Sequence, residues 1–171
     1  MSTNNQRLRV PRSLGEQINV EPTVIIDTRE QEPLPFSRLK TVSGSLLTGD
    51  YSISGLESLF SVERKSIADL ANCCTGEQRQ RFERELHRLR GFRFKRLLII
   101  GSELDIQKCR YHSSIKPQSV FATLGAFEVR YDVPVVFKPS GELAARQIES
   151  WAWWFAREQL RSAVSLLKAN S

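Results

Sequence analysis

The chain has 171 residues, of which 40% are hydrophobic, so it has the length of one domain and enough apolar side chains to bury a core. Its 25 Lys and Arg against 19 Asp and Glu give a formal charge of +6, which favours a polyanionic partner such as nucleic acid or an acidic membrane surface. The longest aliphatic run, Leu97 to Ile100, is far shorter than the roughly 20 apolar residues of a transmembrane helix, so we expect a soluble protein without a membrane partner.

The first 20 residues are polar and lack the apolar centre of a secretory signal. They carry three arginines, Arg7, Arg9 and Arg12. We therefore predict a disordered basic arm over residues 1–22 and one folded domain over residues 23–171.

The cysteines and histidines exclude several kinds of site. Three cysteines, two of them adjacent, suit neither a disulfide framework nor a zinc site of the CxxC type, which indicates a reducing, intracellular location in the cytoplasm, nucleoid or nucleus. The two histidines stand far apart in the sequence. Any metal ion is therefore expected to be held by carboxylates.

Apolar runs and turn residues predict the elements of the first half of the chain. Strands are predicted at 23–27, 46–54 and 59–64, and Gly49 is expected to bend the second of them. The second and third strands are close enough in sequence to form a hairpin. Ser66 is a suitable N-cap for a short helix that runs to about Cys73.

The second half of the chain alternates helices and strands. Between residues 77 and 90, Phe82, Leu86 and Leu89 recur at helical spacing and predict one narrow buried stripe. Further elements are predicted as strands at 95–101 and 133–137 and helices at 118–130 and 142–168. Helices that fall between apolar strands indicate an α/β fold with a mixed sheet covered by helices.

A group of charged residues follows the predicted hairpin. In a strand, alternate residues share a face, so Glu63 and Lys65 are expected on one side and Arg64 on the other. If the two strands are neighbours, Asp50 lies beside Glu63, and two carboxylates there suit Mg²⁺ or Mn²⁺. Asp69 follows Lys65 by one helical turn.

Such a site has the chemistry needed for phosphodiester hydrolysis, because a divalent ion stabilises the charge that builds on the phosphate oxygens and acidifies water. Lys65 would add positive charge, or would orient or deprotonate the water if its neighbours lowered its pKa. The alternative is a solvated strand end with ordinary surface ion pairs. Spacing alone favours that alternative.

The order of these motifs resembles that of the XPF-type nuclease family. The segments GDY and VERKSIADL, preceded by IIDTRE, are similar to the family pattern of GD, then ERK, then Asp after three further residues. Asp27, Arg29 and Glu30 resemble the family's first acidic strand end. The similarity extends over roughly residues 23–161.

This resemblance implies a restriction-endonuclease-like fold and a metal-dependent endonuclease. Mg²⁺ or Mn²⁺ would be held chiefly by Asp50 and Glu63, with Asp27 contributing to the acidic cluster. Asp69 would support the cluster, and Arg64 would organise the carboxylates or bind the scissile phosphate.

Two departures from the family bear on the substrate. Eukaryotic members carry a tandem helix-hairpin-helix module after the nuclease domain, and we expect neither this module nor a helicase domain in these 171 residues. Selectivity for branched or flap DNA, and with it a role in repair or recombination, would then depend on the domain's own surface, a second subunit or another protein.

A basic stripe on the charged helix is a candidate DNA contact. Arg81, Arg84 and Arg88 share one face, but nearby glutamates make a salt-bridged solvated face an equal alternative. The resemblance favours Arg79 and Arg81, because the corresponding region of the family lies beside the metal site. Arg29 and Arg88 complete the candidate set.

Three tryptophans lie in the last predicted helix. Trp151 falls on the apolar face that is expected to pack on the core, whereas Trp153 and Trp154 point elsewhere. The resulting aromatic surface suggests a subunit interface more than base stacking. Because XPF-type nuclease domains pair with like domains, we expect a homodimer.

The leading hypothesis is therefore a DNA endonuclease. A catalytically silent DNA-binding or scaffolding subunit is the competing one, since the family contains inactive partners, but the acidic set is intact here. An RNA-directed or exonucleolytic enzyme with the same metal chemistry is a third.

Overall fold

Six strands form one mixed sheet in the computed structural model, which describes residues 21–169. The predicted basic arm lies, up to residue 20, outside the described residues. The strands are β1 (Val24–Asp27), β2 (Thr41–Gly44), β3 (Tyr51–Ile53), β4 (Phe60–Ser66), β5 (Phe94–Ile100) and β6 (Val135–Lys138). Their order across the sheet is β2-β1-β3-β4-β5-β6. Strand β3 is antiparallel to both β1 and β4, whereas the pairs β1–β2, β4–β5 and β5–β6 are parallel.

Helices cover both faces of this sheet. They are α1 (Ile67–Asn72), α2 (Gly76–Leu89), α3 (Glu103–Gln107), α4 (Pro117–Tyr131) and α5 (Gly141–Ala169). Strand β5 divides the core, because Leu97 and Ile99 join the cluster under α1 to α4 while Leu98 joins the cluster under α5. This arrangement confirms the predicted α/β class with a mixed central sheet.

Several predicted elements differ from the observed ones in extent. The strand predicted over residues 46–54 is limited to β3, because Gly49 adopts a φ of +80° and turns the chain just before it. Strand β2 was not predicted, since it is an exposed edge strand without an apolar run. The five-residue helix α3 was also missed, although Ser102 and Asp105 form a capping box at its start.

The buried stripe of α2 is as predicted: Phe82, Leu86 and Leu89 are all buried. Helix α2 begins at Gly76, one residue before the helical pattern predicted from residue 77. No helix within residues 21–169 combines the length and apolar character needed to cross a membrane.

Candidate active site

The pairing of β3 with β4 places Asp50 beside the charged end of β4. Tyr51 is aligned with Val62, and the N–H of Asp50 donates to the carbonyl of Val62 over 2.9 Å. The N–H of Arg64 in turn donates to Oδ2 of Asp50 over 2.7 Å. The predicted hairpin is confirmed, and it holds the Asp50 carboxylate against the backbone of β4.

Glu63 and Lys65 share one face of β4, as predicted, and this face is the one covered by α2. The two residues are aligned with Leu97 and Ile99 of β5, which belong to the core cluster under α2. Nζ of Lys65 lies 2.5 Å from Oε1 of Glu63 and 5.0 Å from the centre of the Phe82 ring. Glu63 is only 5% exposed, so this ion pair is formed in a largely dry environment.

Burial dominates the electrostatics of the acidic pair. It raises the pKa of Asp50 above its usual range. Burial and the neighbouring Asp50 charge raise the pKa of Glu63 in the same way. Burial alone would lower the pKa of Lys65, but the Glu63 carboxylate outweighs it and the net shift is upward. Lys65 is therefore held as an ammonium, which suits charge stabilisation or positioning better than deprotonation of water.

Arg64 points to the opposite face of β4, where it contacts Glu30. Its Nε and Nη2 donate to the two carboxylate oxygens of Glu30 over 3.1 and 2.8 Å. The hydroxyl of Tyr51 donates to Oε2 of the same carboxylate over 3.2 Å. Of the two roles expected for Arg64, this geometry agrees with organising the acidic residues, because the guanidinium is already engaged by a carboxylate.

Asp27 ends β1 and is almost fully buried, at 2% exposure. Its Oδ1 accepts from Nε of Arg29 over 2.6 Å, and its Oδ2 accepts from the N–H of Leu46 over 2.7 Å. Burial alone would raise the pKa of Asp27, but these hydrogen bonds outweigh it and lower that pKa. Both oxygens of Asp27 are thus used to hold Arg29 and the loop before Asp50.

Asp69 lies at the start of α1, where it accepts a hydrogen bond from the Ser66 hydroxyl over 2.7 Å. It also lines a groove of about 830 Å³ between β4, α1 and α2, together with Lys65, Glu77, Arg81 and Glu85. This groove, called here the catalytic groove, gives solvent access to the Lys65 end of the site.

The donor set fits a divalent cation held by two carboxylates. Among residues 21–169, no group of three or more His, Cys, Asp or Glu side chains is arranged to hold a metal ion. Asp27 is turned toward Arg29 and Leu46, which leaves Asp50 and Glu63 as the pair. Mg²⁺ is commonly held by one or two carboxylates with water and substrate phosphate as its other ligands, and Asp50 and Glu63 are carboxylates of this kind.

Comparison with known proteins assigns the family. A family model described as the ERCC4 domain matches residues 26–150. The chain belongs to the ERCC4 domain family. A search of curated protein sequences found no significant match.

Solved structures agree with this ERCC4 assignment in fold. XPF from Aeropyrum pernix matches with a TM-score of 0.63 and 24% identity over 78% of this chain and 61% of its own. XPF from Aeropyrum pernix in complex with DNA matches with a TM-score of 0.64 and 23% identity over 80% of this chain and 66% of its own. The chain therefore spans about three fifths to two thirds of the matched structures. The predicted restriction-endonuclease-like fold is confirmed.

The candidate DNA contacts of this ERCC4 domain fall in different settings. Arg79 packs within the domain, with Nε donating to Glu83 over 3.0 Å and its guanidinium over the Phe127 ring. Arg81 lines the catalytic groove with 72% of its side chain exposed. Arg88 is exposed farther along α2, and Arg29 is exposed beside Asp27. Only Arg81 thus lies on the groove itself.

The tryptophans of α5 separate as predicted. Trp151 packs against the core cluster, 5.6 Å from the Phe94 ring. Trp153 and Trp154 form an edge-to-face pair at 4.8 Å, and Arg157 lies over both rings at 5.0 and 5.7 Å. Trp154 is 53% exposed, so this pair leaves an aromatic surface on the ERCC4 domain.

Two residues of the site were not given a role from the sequence. Glu30 binds Arg64, and Glu85 lies 4.0 Å from Lys65 through its Oε2. The helical pattern contained a usable signal for Glu85, since it directly precedes Leu86 and follows Phe82 by three residues. Positions beside a buried stripe face the neighbouring strand.

Proposed function

We propose that this ERCC4 domain is a metal-dependent DNA endonuclease whose catalytic centre consists of Asp50, Glu63 and Lys65. The observation that carries the proposal is the buried Glu63 beside the partly buried Asp50, with the Lys65 ammonium bound to Glu63 and itself lining the catalytic groove. Burial raises the pKa of both carboxyl groups. Two like charges held together out of water favour an additional cation between them. A nucleic-acid phosphate that binds in the groove would then lie near positive charge held in a fixed position by the cation and by Lys65.

Each residue has a part in this chemistry. When bound, Mg²⁺ or Mn²⁺ supplies positive charge to the phosphate oxygens and acidifies the attacking water. Asp50 and Glu63 hold the cation, and the N–H of Arg64 keeps Asp50 in position. Lys65, held protonated, stabilises negative charge or orients the water. Asp27 supports the site by fixing the loop before Asp50, and Asp69 supports it from the groove.

DNA is the proposed substrate. The solved XPF from Aeropyrum pernix was captured in complex with DNA, and this chain has the same fold with a net charge of +6. Arg81 at the groove and Arg88 farther along α2 are the proposed phosphate contacts, together with Arg29 and Arg79. We also propose that the domain is selective for branched or flap DNA and acts in intracellular repair or recombination. An additional protein would target it to its substrate.

A catalytically silent DNA-binding or scaffolding subunit is the second candidate. The intact pair of carboxylates with its lysine weighs against it, because a silent subunit has no need of two neighbouring carboxyl groups whose pKa values are raised by burial. Cleavage that depends on Asp50 distinguishes the two.

The deciding experiment incubates wild type and Asp50→Ala with labelled linear duplex, flap, fork and four-way-junction DNA and with RNA. Reactions contain Mg²⁺, Mn²⁺ or EDTA. We expect the wild type to cut DNA internally with either metal ion, and neither EDTA nor Asp50→Ala reactions to do so. Absence of cleavage, or cleavage that is unchanged in Asp50→Ala, would contradict the proposal. RNA cleavage or release of single nucleotides would favour the RNA-directed or exonucleolytic alternative.

We further propose that the domain pairs with a second copy through the aromatic surface of Trp153, Trp154 and Arg157. The half-exposed Trp154 ring supports this proposal, since large aromatic residues are enriched at protein interfaces. Light scattering after size exclusion is expected to give the mass of two chains for wild type and of one chain for Trp154→Ser. A monomer mass for the wild type at all concentrations would contradict it.

A further inference from the structure

Lys65 lies between two carboxylates that come from different elements. Its Nζ is 2.5 Å from Oε1 of Glu63 on β4 and 4.0 Å from Oε2 of Glu85 on α2. The Phe82 ring lies beside the same ammonium at 5.0 Å. Lys65 and Glu85 both line the catalytic groove, and about one fifth of each side chain is exposed there.

The contact with Glu63 conflicts with the proposed role of that carboxylate. A divalent cation bound at Glu63 would compete with the Lys65 ammonium for Oε1 of Glu63. Two positive charges so close together also repel each other strongly in a partly dry site. An ammonium has three N–H donors and can turn toward a second acceptor without losing its charge compensation.

Glu85 is placed to be that acceptor. The helix that carries it is anchored on the domain, because Phe82 and Leu86 are buried in the core. Its Oε1 lies 3.6 Å from Nε of Arg81, which leaves Oε2 for Lys65. The gap to Oε2 is 4.0 Å, and lysine carries its ammonium on a flexible four-carbon side chain.

We propose that Glu85 is a positioning residue that draws Lys65 away from Glu63 and thereby leaves the Glu63 carboxylate available to a divalent cation. This inference rests on the proposed function of the same site. It assigns to α2 a part in metal binding, although no α2 side chain is expected to touch the metal.

The test measures Mn²⁺ binding to the full chain without DNA, by electron paramagnetic resonance titration of free Mn²⁺. Glu85→Gln removes the second acceptor. Glu77→Gln is the matched control, because Glu77 lines the same groove and its replacement removes the same charge. We expect Glu85→Gln to weaken Mn²⁺ binding about 5- to 10-fold and Glu77→Gln less than about 2-fold.

A double-mutant cycle separates positioning from a general charge effect. If Glu85 acts through Lys65, then Glu85→Gln in a Lys65→Met background weakens Mn²⁺ binding no more than Glu77→Gln does. Equal losses in the two backgrounds, or equal losses for the two glutamate variants, would overturn the inference. Thermal melting shows that each variant is folded.

The outcomes also separate this inference from the proposed function. If wild type binds Mn²⁺ in a way that Asp50→Ala abolishes and Glu85→Gln leaves unchanged, only the role of Glu85 is contradicted. If wild type binds no Mn²⁺, the metal site itself is contradicted.

Discussion

The guanidinium of Arg64 forms a two-point ion pair with Glu30, at 3.1 and 2.8 Å, on the face of β4 opposite to Glu63 and Lys65. Both partners are largely buried, with 12% and 6% of their side chains exposed. The same residue donates its backbone N–H to Asp50. Arg64 therefore links a buried ion pair on one face to the proposed catalytic carboxylate at the strand edge.

Glu30→Gln is expected to destabilise the protein by about 2 to 3 kcal/mol at neutral pH, because it leaves the buried Arg64 charge without its main partner. The loss of stability should be smaller than for a buried charge left with no partner at all, since Arg64 also contacts the Glu32 carbonyl at 3.3 Å. Urea unfolding measures the change. Glu32→Gln is the control: its side chain is 84% exposed, and we expect a change within about 0.5 kcal/mol. Equal effects of the two variants would contradict the assignment.

The contribution of Glu30 should also depend on pH. Burial alone would raise its pKa, but the hydrogen bonds from Arg64 and from the N–H of Glu32 outweigh it, so the pKa of Glu30 lies below its usual 4.5. A carboxyl group with a lowered pKa stabilises the fold above its unfolded-state pKa and loses that contribution as pH falls. The stability difference between wild type and Glu30→Gln is therefore expected to be full at pH 6 and to shrink below about pH 4.5. A difference that stays constant down to pH 3 would count against the ion pair.

Gly49→Ala tests the turn that delivers Asp50 to the site. A Cβ at position 49 would clash with Oγ of Ser61, and the φ of +80° is itself unfavourable for alanine. Gly55 has a similar φ of +81° but nothing within 4 Å of its Cβ position. We expect Gly55→Ala to cost about 1 to 2 kcal/mol from backbone strain and Gly49→Ala about 3 kcal/mol or more. Similar losses in urea unfolding for both would remove the steric argument.

Local patterns were sufficient to predict most of the sheet and part of the site. Alternation along β4 predicted that Glu63 and Lys65 share a face and that Arg64 lies on the other, because that rule depends only on backbone geometry. Proximity of Asp50 to Glu63 followed from the short connection between β3 and β4. The partners of Arg64 and Lys65 were not predictable in this way, since Glu30 and Glu85 come from other elements. Such contacts depend on how β1 and α2 pack on β4, and periodicity carries no information about that.

The position of Asp27 shows the same limit. Its place at the end of β1 was predicted, and so was its nearness to the acidic residues. The direction of its carboxylate was not, because it is set by Arg29 and by the backbone of Leu46, nineteen residues along the chain. A sequence pattern gives a residue's position in a strand more readily than the hydrogen bonds of its side chain.

Asp50→Asn is expected to separate catalysis from stability. Burial raises the pKa of Asp50, so the charged form of this residue destabilises the metal-free protein. Asparagine keeps an oxygen that can accept from the N–H of Arg64. In EDTA we therefore expect the variant to melt at the same temperature as wild type or slightly above it, while DNA cleavage in Mg²⁺ falls at least about 100-fold. Asp105→Ala removes one half of the capping box of α3 and the ion pair with Arg110, so we expect a lower melting temperature and normal cleavage for this variant. An Asp50→Asn protein that melts well below wild type would indicate a structural role.

Arg81→Ala should weaken DNA binding through the loss of one phosphate contact. Measured by fluorescence anisotropy in the cleavage-deficient Asp50→Asn background, the affinity is expected to fall about 3- to 10-fold, and the slope of log K against log salt to decrease by about 1. Arg161→Ala is the matched control, because Arg161 has a similar exposure, 60% against 72%, and a similar helical ion pair but lies on α5, away from the catalytic groove. An unchanged salt dependence in Arg81→Ala, or the same loss of affinity in both variants, would mean that DNA does not pass along the groove. The affinity would then reflect only the net positive charge of the protein.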